Sequence, residues 1–353
     1  MAYARGYRSY RGRTPRGRIV LMVLLVIVIV AAVAVMLLSR NIVYDETGTP
    51  HLELPWQEEA PLAEEEVPED SLEITVQELE GLQPVRAFSL GETPLTQAIW
   101  GEAYSISQMP QNAEQAYNAV AVTMKGSGGT VYFDSATAVA GSVSLGEDTT
   151  EAISLMNGAG TGYDSTIARL SCFHDPKAAN WDVEGMGLKN TGGYIFYDGN
   201  NSQWLDPAKP AAREYLCGLA KELAELGFDE ILLTDVSYPT VGKLDKIDYG
   251  EGEKSANLTA FLKEMREALE PYGVALSMEV PETVISQGID DDAGLLLAAI
   301  APQVDRIYAV TTAEKAPALA EAVSNAHEST QFVPELTDAD PALDSFLIFG
   351  QIY

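Results

Sequence analysis

The stretch 204–239, WLDPAKPAAREYLCGLAKELAELGFDEILLTDVSYP, decides the fold of this chain. Asp206 and Pro207 predict the start of a helix, because Asp caps helix N-termini and Pro suits the first helical turn. Leucines then recur at spacings of three and four, which predicts an amphipathic helix with one apolar stripe. These leucines are Leu216, Leu219, Leu223 and Leu226.

A tight turn and a short buried strand follow this helix. Gly227 allows the left-handed backbone that ends many helices, and Phe228 is placed to pack back onto the last turn. The apolar run 231–233 is typical of a buried parallel strand. Asp235 closes the run, and a carboxylate at the carboxyl end of a barrel strand is a candidate for chemistry.

From about residue 84 onwards, strand-like segments alternate with amphipathic, helix-like segments. Eight strands with helical connections predict the α/β class and a (β/α)8 TIM barrel over residues 85–353. A doubly wound open sheet is the alternative. The predicted strands are 85–90, 119–124, 166–172, 230–234, 274–280, 306–310, 331–334 and 345–349.

The N-terminus has the pattern of a membrane anchor. Residues 1–18 contain six arginines and no acid, and residues 19–39 form an unbroken apolar run long enough to span a bilayer. A cleaved signal peptide has a shorter apolar core and small residues at its cleavage site. The sequence therefore predicts a single uncleaved transmembrane helix at 19–39 in the cell membrane. The basic tail 1–18 is expected in the cytoplasm and the barrel outside it.

Composition limits the remaining possibilities. Residues 40–84 are acidic and rich in proline, which predicts an extended stalk between membrane and barrel. The net charge is −30, with 52 acidic and 22 basic residues, and this balance argues against nucleic acid as a partner. Two cysteines and three histidines in no zinc-like spacing predict neither a disulfide scaffold nor a metal or cofactor. The oligomeric state is not indicated.

Several short motifs in this order give the chain a family resemblance. It resembles the family of putative glycoside hydrolases, bacterial TIM-barrel proteins that carry Trp-x-Asp-Pro, Arg-x-Tyr and Gly-Phe-Asp-Glu-Ile, and Ile-Ala-Arg on the third strand. The chain departs from that family around Asp235, where Thr-Asp-Val-Ser-Tyr-Pro replaces Phe-Asp-Tyr-Val-Arg-Phe-Pro. The matching residues are Ile167, Ala168, Arg169, Trp204, Asp206, Pro207, Arg213, Tyr215, Gly227, Phe228, Asp229, Glu230, Ile231 and Asp235.

The resemblance implies cleavage of glycosidic bonds, which requires two carboxyl groups flanking the bond. Asp235 is the candidate nucleophile or base. Glu279, at the end of the next predicted strand, is the candidate acid, and a neighbouring carboxylate is expected to raise its pKa. The competing interpretation makes Asp235 a helix or loop cap after its strand and Glu279 a polar residue that bonds to neighbouring loops.

Other residues near the predicted strand ends are candidates for substrate binding. Lys125 matches a lysine that the family places after its second strand, and the glycines after it predict a hairpin rather than a phosphate loop. Arg169, inside a strand, is expected to pair with a carboxylate in the mouth of the barrel, and Asp235 and Asp134 are the natural choices. Loop aromatics such as Trp204 suit stacking on sugars. The full set of binding candidates is Lys125, Arg169, His174, Asp175, Trp204, Tyr238 and Glu335.

Two functional hypotheses therefore stand. The first is hydrolysis of a cell-surface or cell-wall polysaccharide by a membrane-anchored barrel. The second is a degenerate TIM barrel that binds a glycan without cleaving it. Retention of both Asp235 and Glu279 favours the enzyme, whereas the altered Val236 and Ser237 favour the binding module.

Overall fold

The computed structural model of the protein describes residues 42–44, 50–52, 82–108, 117–158, 162–250 and 252–348. The chain divides into two units, Met1–Gln77 and Glu78–Tyr353. In the first unit, strands Ile42–Tyr44 and Pro50–Leu52 pair in antiparallel fashion.

The predicted membrane segment 19–39 and most of the stalk 40–84 lie outside the described residues. Within the part of the chain that the structure describes, no helix has the length and apolar character needed to cross a bilayer. The N-terminal anchor therefore stays a prediction from the sequence.

Eight parallel strands close into a barrel, as the alternating pattern predicts. Each strand pairs with the next along the chain, and the last pairs with the first, which excludes the open sheet. The strands are β1 Arg86–Leu90, β2 Ala119–Lys125, β3 Ser165–Ser171, β4 Glu230–Thr234, β5 Ala275–Glu279, β6 Arg306–Val310, β7 Gln331–Leu336 and β8 Phe346–Ile348.

Helices and loops connect the strands on the outside of the barrel. The two longest helices among the described residues, α4 and α5, pack side by side after β3 and β4. The helices are α1 Gln97–Gln108, α2 Thr149–Met156, α3 Pro176–Trp181, α4 Pro210–Glu225, α5 Lys254–Leu269, α6 Glu282–Gln287, α7 Leu297–Ile300 and α8 Ala316–Ala326. Short 3-10 turns occupy Leu244–Lys246, Glu270–Tyr272 and Ala301–Gln303.

Helix α4 begins later than the sequence predicts. Its first residue is Pro210 rather than Pro207, and Lys209 stands at the N-cap position. Asp206 instead accepts a hydrogen bond from the backbone N–H of Ala208 at 2.9 Å, which closes a separate turn before the helix. The second proline is the one that fits the first helical turn. The prediction of Asp206 as the helix cap was therefore wrong.

The turn between α4 and β4 is confirmed. Gly227 has φ +93°, a conformation that glycine adopts without steric cost. Phe228 follows it with 1% of its surface exposed, so it packs into the core as expected. The apolar run after this turn forms β4, which lies between β3 and β5.

Side chains alternate along each strand, so one set faces the barrel interior. Near the start of the strands, the interior holds a buried ion pair between Glu230 Oε2 and Arg306 Nη1 at 2.7 Å. Tyr308 donates its hydroxyl to Glu230 Oε1 at 2.8 Å, which satisfies the second carboxylate oxygen. The apolar layer of the interior is formed by Val85, Ala87, Ala119, Ala121, Ile167, Leu232, Val333 and Leu347.

Candidate active site

Two carboxyl groups lie at the carboxyl ends of β4 and β5. The register pairs Leu233 with Met278, so Glu279 on β5 lies beside the last residue of β4 and Asp235 follows directly. Asp235 has φ +52°, an uncommon conformation for a residue other than glycine. Its Oδ2 accepts a hydrogen bond from Ser171 Oγ at 2.6 Å. The bond from Ser171 fixes one oxygen of Asp235 at the mouth of the barrel.

Arg169 links the carboxyl groups of two other strands across the interior. Its Nη2 donates to Glu279 Oε2 at 2.7 Å, and its Nη1 lies 3.6 Å from Glu335 Oε2. The prediction that Arg169 pairs with carboxyl groups of the mouth is therefore confirmed, but its partners here are Glu279 and Glu335 rather than the expected Asp235 or Asp134. The long side chain points from β3 towards β5 and β7, whereas Asp235 bonds to Ser171 and Asp134 lies exposed in the loop after β2.

Burial and charge raise the pKa of Glu279. Desolvation is the main cause, the negative charge of Asp235 adds to it, and the guanidinium of Arg169 acts in the opposite direction. Its side chain remains 30% exposed, so the carboxyl group still faces the opening of the barrel. A carboxyl group with a raised pKa next to a second acidic side chain is the arrangement that acid–base hydrolysis needs.

Glu335 is the more deeply buried member of this group, with 1% of its surface exposed. Neither of its carboxyl oxygens has a hydrogen-bond donor among the described residues, and the contact with Arg169 is longer than a hydrogen bond. Burial raises its pKa to about 8, with Glu279 adding to the shift and Arg169 opposing it. Glu335 is therefore set to hold a proton at neutral pH.

Lys125 lies in the wall of the barrel rather than in its opening. It is 1% exposed, and its Nζ donates to the carbonyl of Ser171 at 2.6 Å and pairs with Asp175 Oδ2 at 3.0 Å. The other carboxylate oxygen of Asp175 caps helix α3 by accepting from Ala178 N at 2.8 Å. This buried pair ties the ends of β2 and β3 together, and a ligand would reach either residue only if the wall opened.

The turn after Lys125 is a hairpin, as the sequence predicts. Gly126 N donates to Thr130 O at 3.0 Å, and Lys125 pairs with Val131 in an antiparallel bridge. Residues 126–148, all of which the structure describes, contain no helix that could offer its N-terminus to a phosphate bound at this turn.

His174 and Trp204 form part of a small core under the loop after β3. Their rings stack at 4.5 Å, and His174 Nε2 lies 2.7 Å from Ser202 Oγ. Trp204 is 9% exposed and donates its indole N–H to Asp198 at 3.0 Å. The aromatic ring that sequence reasoning assigned to sugar stacking thus has little free surface.

Tyr238 is fully buried, and its hydroxyl accepts a hydrogen bond from Asn257 Nδ2 at 3.0 Å. It therefore connects the loop after β4 to helix α5 and leaves no ring face open in this structure. The roles of Tyr238, Trp204, His174 and Lys125 in substrate binding stay predictions.

The structure adds a residue that sequence reasoning missed. Ser171, the last residue of β3, touches both the base candidate Asp235 through its hydroxyl and Lys125 through its carbonyl. A serine at the end of a strand gives no signal in the sequence. Within the described residues, no group of three or more His, Cys, Asp or Glu side chains is arranged to hold a metal ion.

A closed parallel barrel with carboxyl groups at its strand ends defines the class of TIM-barrel proteins that includes many hydrolases. Residues 95–311 match the sequence profile of the family described as "Putative glycosyl hydrolase domain", and this chain belongs to that family. No curated protein sequence matches the chain.

Solved structures with the same fold include two that act on carbohydrates. The glycoside hydrolase domain of PgaB (BpsB) from Bordetella bronchiseptica is 12% identical, with a TM-score of 0.50 over 76% of this chain and 94% of that domain. A cycloisomaltooligosaccharide glucanotransferase from Paenibacillus sp. is 14% identical, with a TM-score of 0.50 over 71% of this chain and 38% of that enzyme. At these identities the likeness shows the fold alone.

A third structure is more similar in sequence. A hypothetical protein from Ruminiclostridium thermocellum is 26% identical, and the alignment covers 54% of this chain and 96% of that protein, with a TM-score of 0.45.

Proposed function

We propose that this protein hydrolyses a glycosidic bond in a cell-surface or cell-wall polysaccharide, at the mouth of its barrel. The observation that carries the proposal is the carboxyl pair Asp235 and Glu279 on neighbouring strand ends, in a family of glycosyl hydrolase domains. Neighbouring strands lie about 4.8 Å apart, so the register of β4 and β5 supports the two carboxyl groups working on one bond.

The two carboxyl groups have different surroundings and therefore different roles. Burial favours the protonated form of Glu279, so this residue supplies the proton to the leaving oxygen. Asp235, which accepts a hydrogen bond from Ser171, attacks the anomeric carbon or activates a water molecule. Arg169 holds Glu279 in place and, after the proton has left, stabilises the carboxylate that remains.

The cellular setting of the proposal comes from the sequence. An apolar segment at 19–39 behind a basic tail would anchor the chain in the cell membrane, with the barrel outside the cytoplasm. From there the barrel would reach polysaccharide at the cell surface through the stalk.

A catalytically degenerate barrel that binds glycan is the second candidate. It is favoured by Val236 and Ser237, which depart from the family pattern, and by Arg169, which binds Glu279 at 2.7 Å and so favours its ionised form. In that case the mouth would recognise sugar without breaking a bond.

The test compares hydrolysis in the parent protein with that in Asp235→Asn and Glu279→Gln. Each variant keeps the shape of the side chain but removes its acid–base chemistry, so each is expected to lower kcat by about 10²- to 10⁴-fold. The double variant is expected to be little worse than either single variant, because the two groups act as a unit. The assay measures reducing ends released from bacterial cell-wall and capsular polysaccharides.

Glu267→Gln, on the exposed face of α5, is the matched control and should keep full activity. A parent that binds polysaccharide but releases no reducing ends would favour the binding module instead. Full activity in Asp235→Asn would show that the carboxyl pair has been placed wrongly.

A further inference from the structure

A pocket of about 330 Å³ lies between the loops that follow β3 and β4. Both loops are on the same side of the barrel as the strand ends that carry Asp235 and Glu279. We call it the rim pocket, and its lining residues are Asn190, Thr191, Ile195, Phe196, Tyr197, Lys243 and Lys246.

Backbone hydrogen bonds hold the two loops of the rim pocket together. Thr191 N donates to Lys246 O at 2.8 Å, and Asn190 pairs with Ile247 in an antiparallel bridge. The side chain of Asn190 also accepts a hydrogen bond from Gly192 N at 2.9 Å, which fixes the turn between the two lining segments. The pocket is therefore formed before any ligand arrives, and binding would not have to order its walls.

The rim pocket offers an aromatic surface on an apolar floor. Phe196 is 3% exposed and Ile195 is half-buried, whereas Tyr197 keeps 48% of its surface exposed. Tyr194, which extends the same turn, is 75% exposed. An open ring with a polar tip beside a small apolar floor suits the face of a sugar, which is apolar at its centre and polar at its edges.

The charged side chains of the lining are both lysines, in a chain that has 52 acidic and 22 basic residues. Lys243 is exposed and forms no salt bridge with any residue that the structure describes. Lys246 pairs with its neighbour Asp245 at 2.9 Å, but the two side chains are 61% and 72% exposed. Such an exposed pair is weak and is easily exchanged for a bound anion.

We propose that the rim pocket binds a sugar unit that carries a carboxylate or a phosphate, so that the polysaccharide on which this protein acts is acidic. Tyr197 would stack on the sugar ring, and Lys243 and Lys246 would pair with its negative group. This inference rests on the proposed glycan-directed function and adds to it the chemical class of the glycan.

The test measures binding of the full-length protein, in mild detergent, to acidic glycans and to their uncharged counterparts. The panel holds polygalacturonate and hyaluronate, each beside its methyl ester, and a glycerol-phosphate teichoic acid beside a neutral glucan. Each acidic glycan that binds is expected to do so at least about fivefold more tightly than its neutral counterpart. Preference for the uronates or for the teichoic acid would distinguish a carboxylate from a phosphate.

Variants assign that binding to the rim pocket. Lys243→Met and Tyr197→Ala are each expected to weaken binding of the acidic glycan by about fivefold or more. Lys263→Met, which removes an exposed charge from α5, is the matched control and should bind as the parent does. Circular dichroism should be unchanged in all three, because Tyr197 keeps 48% of its surface exposed and the two lysines are exposed.

The inference and the proposed function can fail separately. Equal affinity for the charged and neutral forms of every glycan, or unchanged binding in Lys243→Met, would overturn the inference even if the protein cleaves a neutral glycan. Lysine-dependent binding of an acidic glycan that is never cleaved would support the inference and count against the hydrolase. Asp235→Asn should bind the acidic glycan as tightly as the parent in either case, because Asp235 does not line the pocket.

Discussion

Arg169 interacts with two carboxyl groups, which lie at different distances from its guanidinium. Glu279 takes a direct hydrogen bond at 2.7 Å, whereas Glu335 approaches only to 3.6 Å. Arg169 is 8% exposed, so its guanidinium depends on these groups for the solvation that water would otherwise supply. The pKa values of Glu279 and Glu335 therefore both depend on the positive charge of Arg169.

Removal of this cation should destabilise the fold. Breaking a buried ion pair on one side typically costs about 3–5 kcal/mol, because the carboxyl groups are left buried and unpaired. Arg169→Met is therefore expected to lower the melting temperature of the full-length protein by roughly 10 °C, measured by scanning calorimetry.

Arg266→Met provides the comparison for Arg169→Met. Arg266 pairs with Asp305 at 3.1 Å, but its side chain is 41% exposed, so its loss should cost about 1 kcal/mol or less. Equal melting temperatures in the parent and Arg169→Met would contradict the buried ion pair.

Glu335 should make stability depend on pH in a defined direction. Its pKa is raised from an ordinary value of 4.5 to about 8, so the folded state binds a proton that the unfolded state has lost. Its contribution to stability is complete below about pH 4.5 and is lost as pH rises towards 8. Glu335→Gln cannot ionise, so its melting temperature should fall less steeply between pH 5 and 8 than that of the parent.

An exposed acid separates this effect from the general charge of the chain. Glu321→Gln, on the surface of α8, should melt with the same pH dependence as the parent. Parallel melting curves for Glu335→Gln and the parent across this range would show that Glu335 is already ionised at neutral pH.

For single side chains, the sequence could predict where in the fold a residue lies but not which residues contact it. The ends of apolar runs placed Asp235 and Glu279 at the mouth, because a strand carries its last residue to a known edge. Burial of Lys125 depends on Asp175 and Ser171, which meet it only after β2 and β3 have paired. These partners lie far from Lys125 in the sequence, so one sequence gives no signal that they will contact it.

The unit formed by α4, its turn and β4 was the most predictable element, because its signals are local. The leucine stripe, the glycine and the apolar run lie within one stretch, and only the helix start was misplaced, by three residues. Asp206 gave a false cap because Asp also closes short turns of its own.

The turn of this unit should be sensitive to the loss of its glycine. Gly227 has φ +93°, and a Cβ there would lie 3.3 Å from the Cβ of Asn157. Gly227→Ala is therefore expected to reduce the free energy of unfolding by about 1–2 kcal/mol, measured by chemical denaturation.

Gly101→Ala is the control, and it is expected to change stability in the opposite direction. Gly101 lies in α1, and no neighbouring atom stands within 4 Å of the Cβ that alanine would add. That variant should gain up to about 1 kcal/mol, because alanine is the better helix former. If the two substitutions changed the free energy of unfolding equally, the positive φ of Gly227 would be ruled out as the cause.

At the scale of the whole barrel, the sequence predicted the number of strands and a closed barrel, but not which residues pair where the barrel closes. Pairing of β8 with β1 joins residues about 260 positions apart, as in the bond from Val85 N to Ser345 Oγ. The segment before β1 is held at the same place, since Gln331 donates to Leu82 O at 2.8 Å and Arg306 to Gln83 O at 2.8 Å. Alternation of strands and helices predicts a closed barrel but does not determine which residues of neighbouring strands pair.

The orientation of the whole molecule in the membrane is the broadest prediction from the sequence. Six arginines before the apolar segment 19–39 should keep the N-terminus in the cytoplasm, so everything after Arg40 should lie outside it. Protease added to intact cells or spheroplasts is therefore expected to remove the barrel by cutting in the acidic stalk, as followed by an antibody against the barrel. A cytoplasmic protein should survive the same treatment as a control. Protection of the barrel until the cells are lysed would reverse the orientation, and a soluble mature form that begins beyond Ser39 would show a cleaved signal peptide instead.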